Sequence, residues 1–235
     1  MTTFWESAKW RRYEHAYGDE PGTRAKLLAE ADFNTRIVDL SVSEKGLWRG
    51  VRKSYRPLIN KLGRKYRRDP DVADGYGWMM LPRGINTDWI WIAQRIHHKE
   101  AGRETRPADT WKIMGEWMRD IPTGGALNLA FDYTDGTGRR ERQARAFAYF
   151  AIHGEYAYYF SAASIEPNLG IALIWWSMLA LKDRGVRWCE LGWQGAATNE
   201  KERNIEFTRR GFGGKDVPAS WSGRTLTEGE WKCLE

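Results

Sequence analysis

An apolar helix placed between two strands constrains the fold of this chain more than any other feature. Residues 168–185, NLGIALIWWSMLALKDRG, are apolar nearly all round at helical spacing, so this predicted helix has to be buried. Gly185 stands where glycine commonly ends a helix. Residues 155–164 before the helix and 186–191 after it, EYAYYFSAAS and VRWCEL, are typical of strands. The sequence therefore predicts a strand, a buried helix and a second strand in succession.

Another strand followed by a helix is predicted nearer the start of the chain. Residues 35–42, TRIVDLSV, indicate a buried strand, and Ser43 is well placed to cap the helix that follows. Pro57 predicts a kink or a restart in that helix, because proline lacks an N–H and disfavours helical geometry at the preceding residue. One core-facing stripe of apolar side chains is expected, made of Leu47, Trp48, Val51, Tyr55, Leu58, Ile59 and Leu62.

The middle of the chain mixes several signals. Residues 75–84 are predicted as a loop, and residues 85–107 as either a strand or a helix. Residues 109–120 predict a short helix capped by Asp109 or Thr110. Three successive strands with short connections, and hence antiparallel pairing, are predicted at 126–133, 143–154 and 155–164, with a turn at Asp135. A short helix that runs into a glycine-rich turn, 204–214, completes an α+β or mixed-sheet arrangement.

Positive charge is concentrated in one segment. Between Lys45 and Arg68 the chain carries ten Lys or Arg and no Asp or Glu, so a net charge of +6 becomes −4 for the other 211 residues. Such a local positive field attracts phosphates, whether of a nucleic acid, a nucleotide-linked sugar or an anionic membrane. A solvated helix face with an ordinary Lys/Arg bias is the alternative.

The totals indicate a compact globular protein and allow one large domain or two small ones. A single domain over residues 1–235 is expected, with residues 1–34 as an unassigned N-terminal extension. Hydrophobic residues make up 42% of the chain, and fourteen Trp argue against disorder. Cys189 and Cys233 show neither disulfide-framework nor zinc-site spacing, and no metal site is expected at the adjacent His97 and His98. The longest apolar run has eleven residues, where a membrane span needs about 20, and no signal peptide is visible, so a cytoplasmic protein is expected.

The order of these elements resembles the GNAT acyltransferase fold, with its mixed, mostly antiparallel sheet flanked by helices. Three sets of residues resemble its Fem branch, the peptidoglycan aminoacyltransferases and their single-domain relatives. They are LWRGVRKSYRPLINK at 47–61, EYAYYFSAAS at 155–164, and VRWCELGW with FTRRGFGG at 186–193 and 207–214. The resemblance implies transfer of an amino acid from aminoacyl-tRNA, a co-substrate, to an amine of a phosphate-bearing acceptor such as a nucleotide-linked cell-wall or glycan precursor. It implies no other cofactor.

The same resemblance implies roles for individual residues. The acceptor's phosphates or the acceptor end of the tRNA would face Arg52, Lys53, Tyr55 and Arg56. Arg209 stands where the family usually has a lysine that steadies the terminal phosphate or ribose of the tRNA. Thr208 stands where the family usually has phenylalanine. His97 and Arg106 are expected to border the acceptor site.

Candidate residues also lie on the predicted strands beside the buried helix. Glu190 is a candidate proton acceptor for the attacking amine, the alternative being a carboxylate paired with a nearby Arg. Tyr158 and Tyr159 alternate faces, so one faces the core and the other is available to a cleft. Ser161 lies on the face of Tyr159, as a cleft residue or as a packed small residue.

Two other functions compete with aminoacyl transfer. An acyl-CoA-dependent N-acyltransferase acting on an amino sugar would hold the cofactor's pyrophosphate at the start of the buried helix, near Asn168 and Gly170. Coenzyme-A-dependent relatives of the fold have Gln or Arg where this chain has Pro167. Gly170 equally fits close packing of the helix on the sheet. A protein that binds or modifies nucleic acid would use the basic segment on a phosphate backbone.

Overall fold

The computed structural model describes residues 33–68, 76–81, 88–119, 124–132 and 143–219. The first half of this part contains β1 (Phe33–Asp39), α1 (Glu44–Gly50), α2 (Tyr55–Lys65), β2 (Tyr66–Arg68), β3 (Tyr76–Met80), α3 (Trp89–Ala101) and α4 (Ala108–Trp117). The second half contains β4 (Gly125–Asp132), β5 (Gln143–His153), β6 (Tyr156–Ser164), α5 (Leu169–Asp183), β7 (Trp188–Gln194), α6 (Glu200–Arg210) and β8 (Lys215–Ala219). The predicted turn at Asp135, Cys233 and residues 1–32 of the predicted extension lie outside the described residues.

The described strands form a single mixed sheet. Their order is β2-β3-β4-β5-β6-β7-β1-β8, in which β2 with β3 and β6 with β7 are parallel and the other neighbours are antiparallel. The predicted antiparallel run from β4 to β6 is therefore confirmed, as is the α+β class. The strand β1, early in the chain, lies between two late strands, β7 and β8.

The buried helix α5 connects the parallel strands β6 and β7. Ten of its fifteen residues are buried, as its continuous apolar character predicts. Gly185 ends the helix with φ +81°, its N–H donates to the Lys182 carbonyl, and the Val186 N–H donates to the Leu181 carbonyl at 3.1 Å. This is the glycine-closed helix end that the sequence predicted.

Side chains pack on both faces of the sheet. One core cluster joins α1, α2 and α5 to alternate residues of β4 and β5, such as Ala130 and Phe150. The other joins α3 and α4 to the intervening residues, such as Leu129 and Tyr149. Because both faces are covered, every residue of β4 is buried.

Three local predictions are wrong. Residues 75–84 are not a loop throughout, because β3 pairs with β4 from Tyr76 to Met80 and buries Trp78 against Trp176. The predicted caps Asp109 and Thr110 lie inside α4, whose N-cap is Pro107. The helix restart expected at Pro57 occurs earlier, between α1 and α2, and proline fits the first turn of α2 because N–H groups there lack helical partners. Residues 85–107, for which strand and helix were both open, contain the helix α3.

Two glycines offer a test of this packing. An added Cβ at Gly211 would overlap the Tyr55 ring, whereas at Gly170 it would meet only the Ser164 Cβ at 3.6 Å. We expect Gly211→Ala to lower the free energy of unfolding by about 1–3 kcal/mol. Gly170→Ala should leave it unchanged or raise it by up to about 1 kcal/mol, because alanine favours helix. Chemical denaturation measures both, and equal effects would contradict the described contact at Gly211.

Candidate functional site

An opening forms where the parallel strands β6 and β7 part. They pair only from Tyr156 with Trp188 to Tyr158 with Glu190. Beyond this point β6 stays paired with β5, while β7 stays paired with β1. Just beyond the last pair between β6 and β7, each strand contains one residue that has no opposite residue on its other neighbour. These are Phe160 in β6, opposite β5, and Leu191 in β7, opposite β1. Such bulges redirect side chains and end pairing, so both strands turn away from each other at the same level.

Arg209 of α6 lies at this opening. Its side chain is buried, its Nη1 donates to the Trp193 carbonyl at 3.2 Å, and its guanidinium lies 4.8 Å from the centre of the Trp193 ring. A Cβ on Gly192 would be 3.0 Å from Arg209 Cζ and 3.1 Å from the Tyr158 hydroxyl. The two side chains therefore converge over Gly192, whose φ of +95° also favours glycine.

Nearby oxygen atoms act on the Arg209 charge. Burial lowers the pKa of Arg209, and Tyr158, Tyr159, Glu206 and Glu190 oppose that change. Arginine has so high an ordinary pKa that the guanidinium remains cationic. Glu190 is 0% exposed and accepts a hydrogen bond from the Thr35 hydroxyl at 2.7 Å. The opening thus contains a buried cation with carboxylates and phenols around it.

A cleft of about 460 Å³ adjoins Arg209. Tyr159 lines it from β6, and Thr208 from α6. Burial raises the pKa of Tyr159 to about 12, so its phenol is neutral and able to donate a hydrogen bond at neutral pH. The lining contributed by α6 is mostly polar and consists of Glu200, Lys201, Asn204, Ile205, Thr208 and Arg209.

Buried polar atoms on β6, β7 and α6 around the opening lack hydrogen-bond partners among the described residues. They are Ser161 Oγ on β6, both amide atoms of Gln194 on β7, and Arg209 Nε. Gln194 is only 1% exposed. Buried polar groups in folded proteins are normally bonded, so these atoms are suited to a bound molecule or to water. The importance of Gln194 and Gly192 was not predicted individually, and only the strand-end ELGW pattern pointed to this region.

The basic segment contacts the end of α6 that carries Arg209. The Arg52 guanidinium lies 3.5 Å from the centre of the Phe207 ring, and its Nη2 donates to the Phe207 carbonyl at 2.8 Å. The Tyr55 ring packs against Phe212. Arg56 donates to the carbonyls of Val51 and Arg49, both at 2.9 Å. Lys53 is exposed. Of the four predicted phosphate-binding residues, Arg52, Tyr55 and Arg56 thus have contacts within the chain.

His97 and Arg106 lie on the α3 and α4 side of the sheet. His97 Nδ1 is 2.6 Å from the Thr105 hydroxyl, and its ring packs against Trp111. The Arg106 guanidinium lies 5.6 Å from the centre of the Phe160 ring, which contacts Tyr158. Phe160 therefore connects Arg106 with Tyr158, a residue of the opening. Within the described ranges, no three His, Cys, Asp or Glu side chains are grouped so as to hold a metal ion.

Asn168 and Gly170 begin α5, away from the lining of the described cleft. Asn168 has a left-handed φ of +64°. The N–H groups of Leu169, Ile171 and Ala172 already donate to the carbonyls of Glu166 and Asn168. Because Gly170 has room for a methyl group, close packing does not require glycine there.

Arg56 and Lys53 make a matched pair for testing whether the basic segment is structural. Removing the Arg56 side chain leaves two carbonyls at the α1–α2 junction without their charged donor. We expect Arg56→Ala to lower the free energy of unfolding by about 1.5–3 kcal/mol and Lys53→Ala to leave it within about 0.5 kcal/mol. Thermal and urea unfolding measure this difference, and a neutral Arg56→Ala would show that its hydrogen bonds add nothing to stability.

The buried environment of His97 predicts a pH dependence of stability. Burial, followed by the charge of Arg106, lowers the pKa of His97 from 6.5 to about 3. The unfolded chain takes up this proton first, so the stability due to neutral His97 is full above pH 6.5 and is lost as the pH falls towards 3.

We expect His97→Gln to flatten this loss by up to about 1.4 kcal/mol per pH unit. His98→Gln, from the same helix, is the control. Urea unfolding across the acid range measures the slopes. Parallel slopes for wild type and His97→Gln would contradict the prediction.

Comparison with known proteins identifies the fold. No protein-family model and no curated protein matches the sequence. The solved structure of FemX matches with a TM-score of 0.59 at 11% identity, covering 86% of this chain and 63% of FemX. The C-terminal domain of a putative lysylphosphatidylglycerol synthetase from Agrobacterium fabrum matches with a TM-score of 0.53 at 16% identity, covering 80% and 59%. The chain thus spans less than two thirds of either matched chain.

The fold is therefore the GNAT-type α+β fold found in FemX. The resemblance to the Fem branch, expected from the sequence, is confirmed at the level of the fold. Within the described part of the chain, no helix is long and apolar enough to cross a membrane.

Proposed function

We propose that this protein is an aminoacyltransferase that moves an amino acid from aminoacyl-tRNA to an amine of an acceptor molecule. The fold shared with FemX supports this proposal. The observation that carries it is the convergence of the cationic Arg209 and the Tyr158 hydroxyl over Gly192, at the opening between β6 and β7. Such a pair of donors suits a carbonyl oxygen that becomes negatively charged during a reaction.

The proposed reaction is aminolysis of an ester. The acceptor nitrogen attacks the ester carbonyl carbon and forms a C–N bond, while the carbonyl oxygen becomes an oxyanion. The bond from carbon to the ribose oxygen then breaks, and that oxygen takes the proton lost by the amine. The ester is already activated, so positioning the two substrates and stabilising the oxyanion suffice, and no covalent enzyme intermediate is required.

In this proposal Arg209 and Tyr158 stabilise the oxyanion, and Tyr159 lines the cleft that holds the transferred group. Glu190 is a positioning residue, because a carboxylate that is 0% exposed and bonded to Thr35 does not meet the amine directly. Its negative charge offsets part of the cost of burying Arg209. This differs from the proton-acceptor role that the strand-end position suggested.

The acceptor in this proposal is an amine that carries phosphate, such as a nucleotide-linked cell-wall or glycan precursor. Lys201 in the cleft lining and Arg106 behind Phe160 supply positive charge near the opening. Because aminoacyl-tRNA is a cytoplasmic substrate, the proposal implies that the protein acts in the cytoplasm.

Arg209 and its neighbour Arg210 allow a direct test. Arg209 is buried at the opening, whereas Arg210 is exposed on the same turn of α6. We expect Arg209→Ala to lower the rate of aminoacyl transfer by about 10²–10³-fold, and Arg210→Ala by less than about threefold. Transfer of a labelled amino acid from tRNA to a panel of nucleotide-linked amino sugars measures both rates.

Two outcomes would contradict the proposal. Equal rates for Arg209→Ala and wild type would remove Arg209 from the reaction. Labelling of the same acceptors from acyl-CoA in place of aminoacyl-tRNA would assign the protein to the coenzyme-A-dependent transferases, although the N–H groups that begin α5 are largely bonded within the chain.

A further inference from the structure

We propose that the exposed cations of α1 and α2 form a docking face for the phosphate backbone of an RNA duplex, the acceptor stem of the donor tRNA. This basic face consists of Lys45, Arg49, Lys53, Lys61 and Arg64. All five side chains are exposed, and no ion pair joins them to another described residue. The inference rests on the proposed function for the identity of the RNA, while RNA binding itself is measured separately.

The structure separates the basic face from cations that serve the fold. Lys65 pairs with Glu166 and Arg68 pairs with Asp183, both at 2.7 Å. Arg52 and Arg56 donate to backbone carbonyls outside α2 at 2.8–2.9 Å, whereas Arg64 makes one longer contact of 3.4 Å with the Asn60 carbonyl of its own helix. Within residues 45–68, the charge that remains available to a partner is therefore carried by the basic face, with Arg67 on the neighbouring strand β2.

Helical spacing places the cations of α2 on its outer side. The buried residues Tyr55, Ile59 and Leu62 form one stripe, and Lys61 and Arg64, three residues apart, project from the opposite side. In α1, Lys45 and Arg49 are spaced by four residues and share a side. Lys53 lies between the two helices.

The basic face is continuous with the cleft. Lys53 follows Arg52, which stacks on Phe207 and whose N–H donates to the Gly211 carbonyl at 2.7 Å. Phe207 precedes Thr208, a residue of the cleft lining. A polyanion held along α1 and α2 would therefore have one end next to the opening that contains Arg209, as a tRNA that delivers its esterified end requires.

The surface suits a phosphate backbone better than a membrane. Helices that bind a bilayer bury an apolar face in it, but most apolar residues of α1 and α2 are buried in the protein core, and Trp48 and Leu58 are half-buried. Val42 and Phe207 are the large hydrophobic residues described as exposed, and the Arg52 guanidinium lies over Phe207. A cleft beside Lys45 is lined by Trp48, Trp175 and Trp176, which are half-buried or buried, so exposed charge dominates this surface. Such a surface is typical of contacts with nucleic-acid phosphates.

Two double variants with equal charge loss test the proposal. Lys61→Ala/Arg64→Ala removes two cations of the basic face, and Lys65→Ala/Arg68→Ala removes two that are paired with carboxylates on the same part of the chain. The probe is an uncharged RNA hairpin with an unpaired 3′ end, and fluorescence anisotropy measures its affinity at several salt concentrations.

We expect the first variant to bind the hairpin about tenfold more weakly than wild type and to reduce the slope of log affinity against log salt by about two. The second variant should lose less than about threefold. Equal losses would overturn the docking face, because general attraction by net charge depends only on the total. Binding of wild type to anionic lipid vesicles but not to the hairpin would also overturn it.

The same measurements separate this inference from the proposed function. If wild type shows no aminoacyl transfer while the two double variants still differ, the proposed function fails and the RNA-docking face stands. If transfer is intact while the two double variants lose affinity equally, the docking face alone fails.

Discussion

The burial of α5 is the constraint on which the rest of the structure depends. Its side chains are apolar on all sides, so the helix has to be covered both by the sheet and by α2. The covered helix returns the chain to the same sheet and is the crossover that the parallel strands β6 and β7 need. The parallel pair formed by β6 and β7, beside which the candidate site lies, therefore depends on the crossover through α5.

The candidate site uses a few residues that the separation leaves accessible. Bulges at Phe160 and Leu191 turn both strands outwards, and Gly192 leaves the space in which Arg209 and Tyr158 meet. The Glu190 carboxylate, which accepts a hydrogen bond from Thr35, partly compensates the positive charge of Arg209. The basic segment contacts the same region, since Arg52 lies over Phe207 of α6 and donates to its carbonyl close to the cleft. The proposed reaction thus depends on the end of one short helix, α6, which also contacts the basic segment.

Periodic patterns in the sequence predicted most of the strands and the helices other than α3, for which strand and helix were both open, because apolar spacing reports which faces are covered. The strand β3 escaped prediction because its position comes from pairing with β4 and from the stacking of Trp78 on Trp176. The site was predicted only in part. Arg209, Tyr158 and Tyr159 were named, but the positive φ of Gly192 and the unbonded amide of Gln194 depend on bulges and on the packing of α6. Charge counting located the basic segment without showing that Arg52 and Arg56 bind backbone carbonyls.

The separation of the two strands is fixed before any substrate arrives. β6 remains hydrogen-bonded to β5 as far as Ser164, and β7 remains hydrogen-bonded to β1 as far as Gln194. Closing the gap would therefore break hydrogen bonds between β5 and β6 and between β7 and β1. The main chain around the gap therefore loses little conformational entropy when a ligand enters. Discrimination among ligands of the gap would then come from the size and polarity of side chains such as Tyr159 and Gln194, because the main chain around the gap is held by these hydrogen bonds.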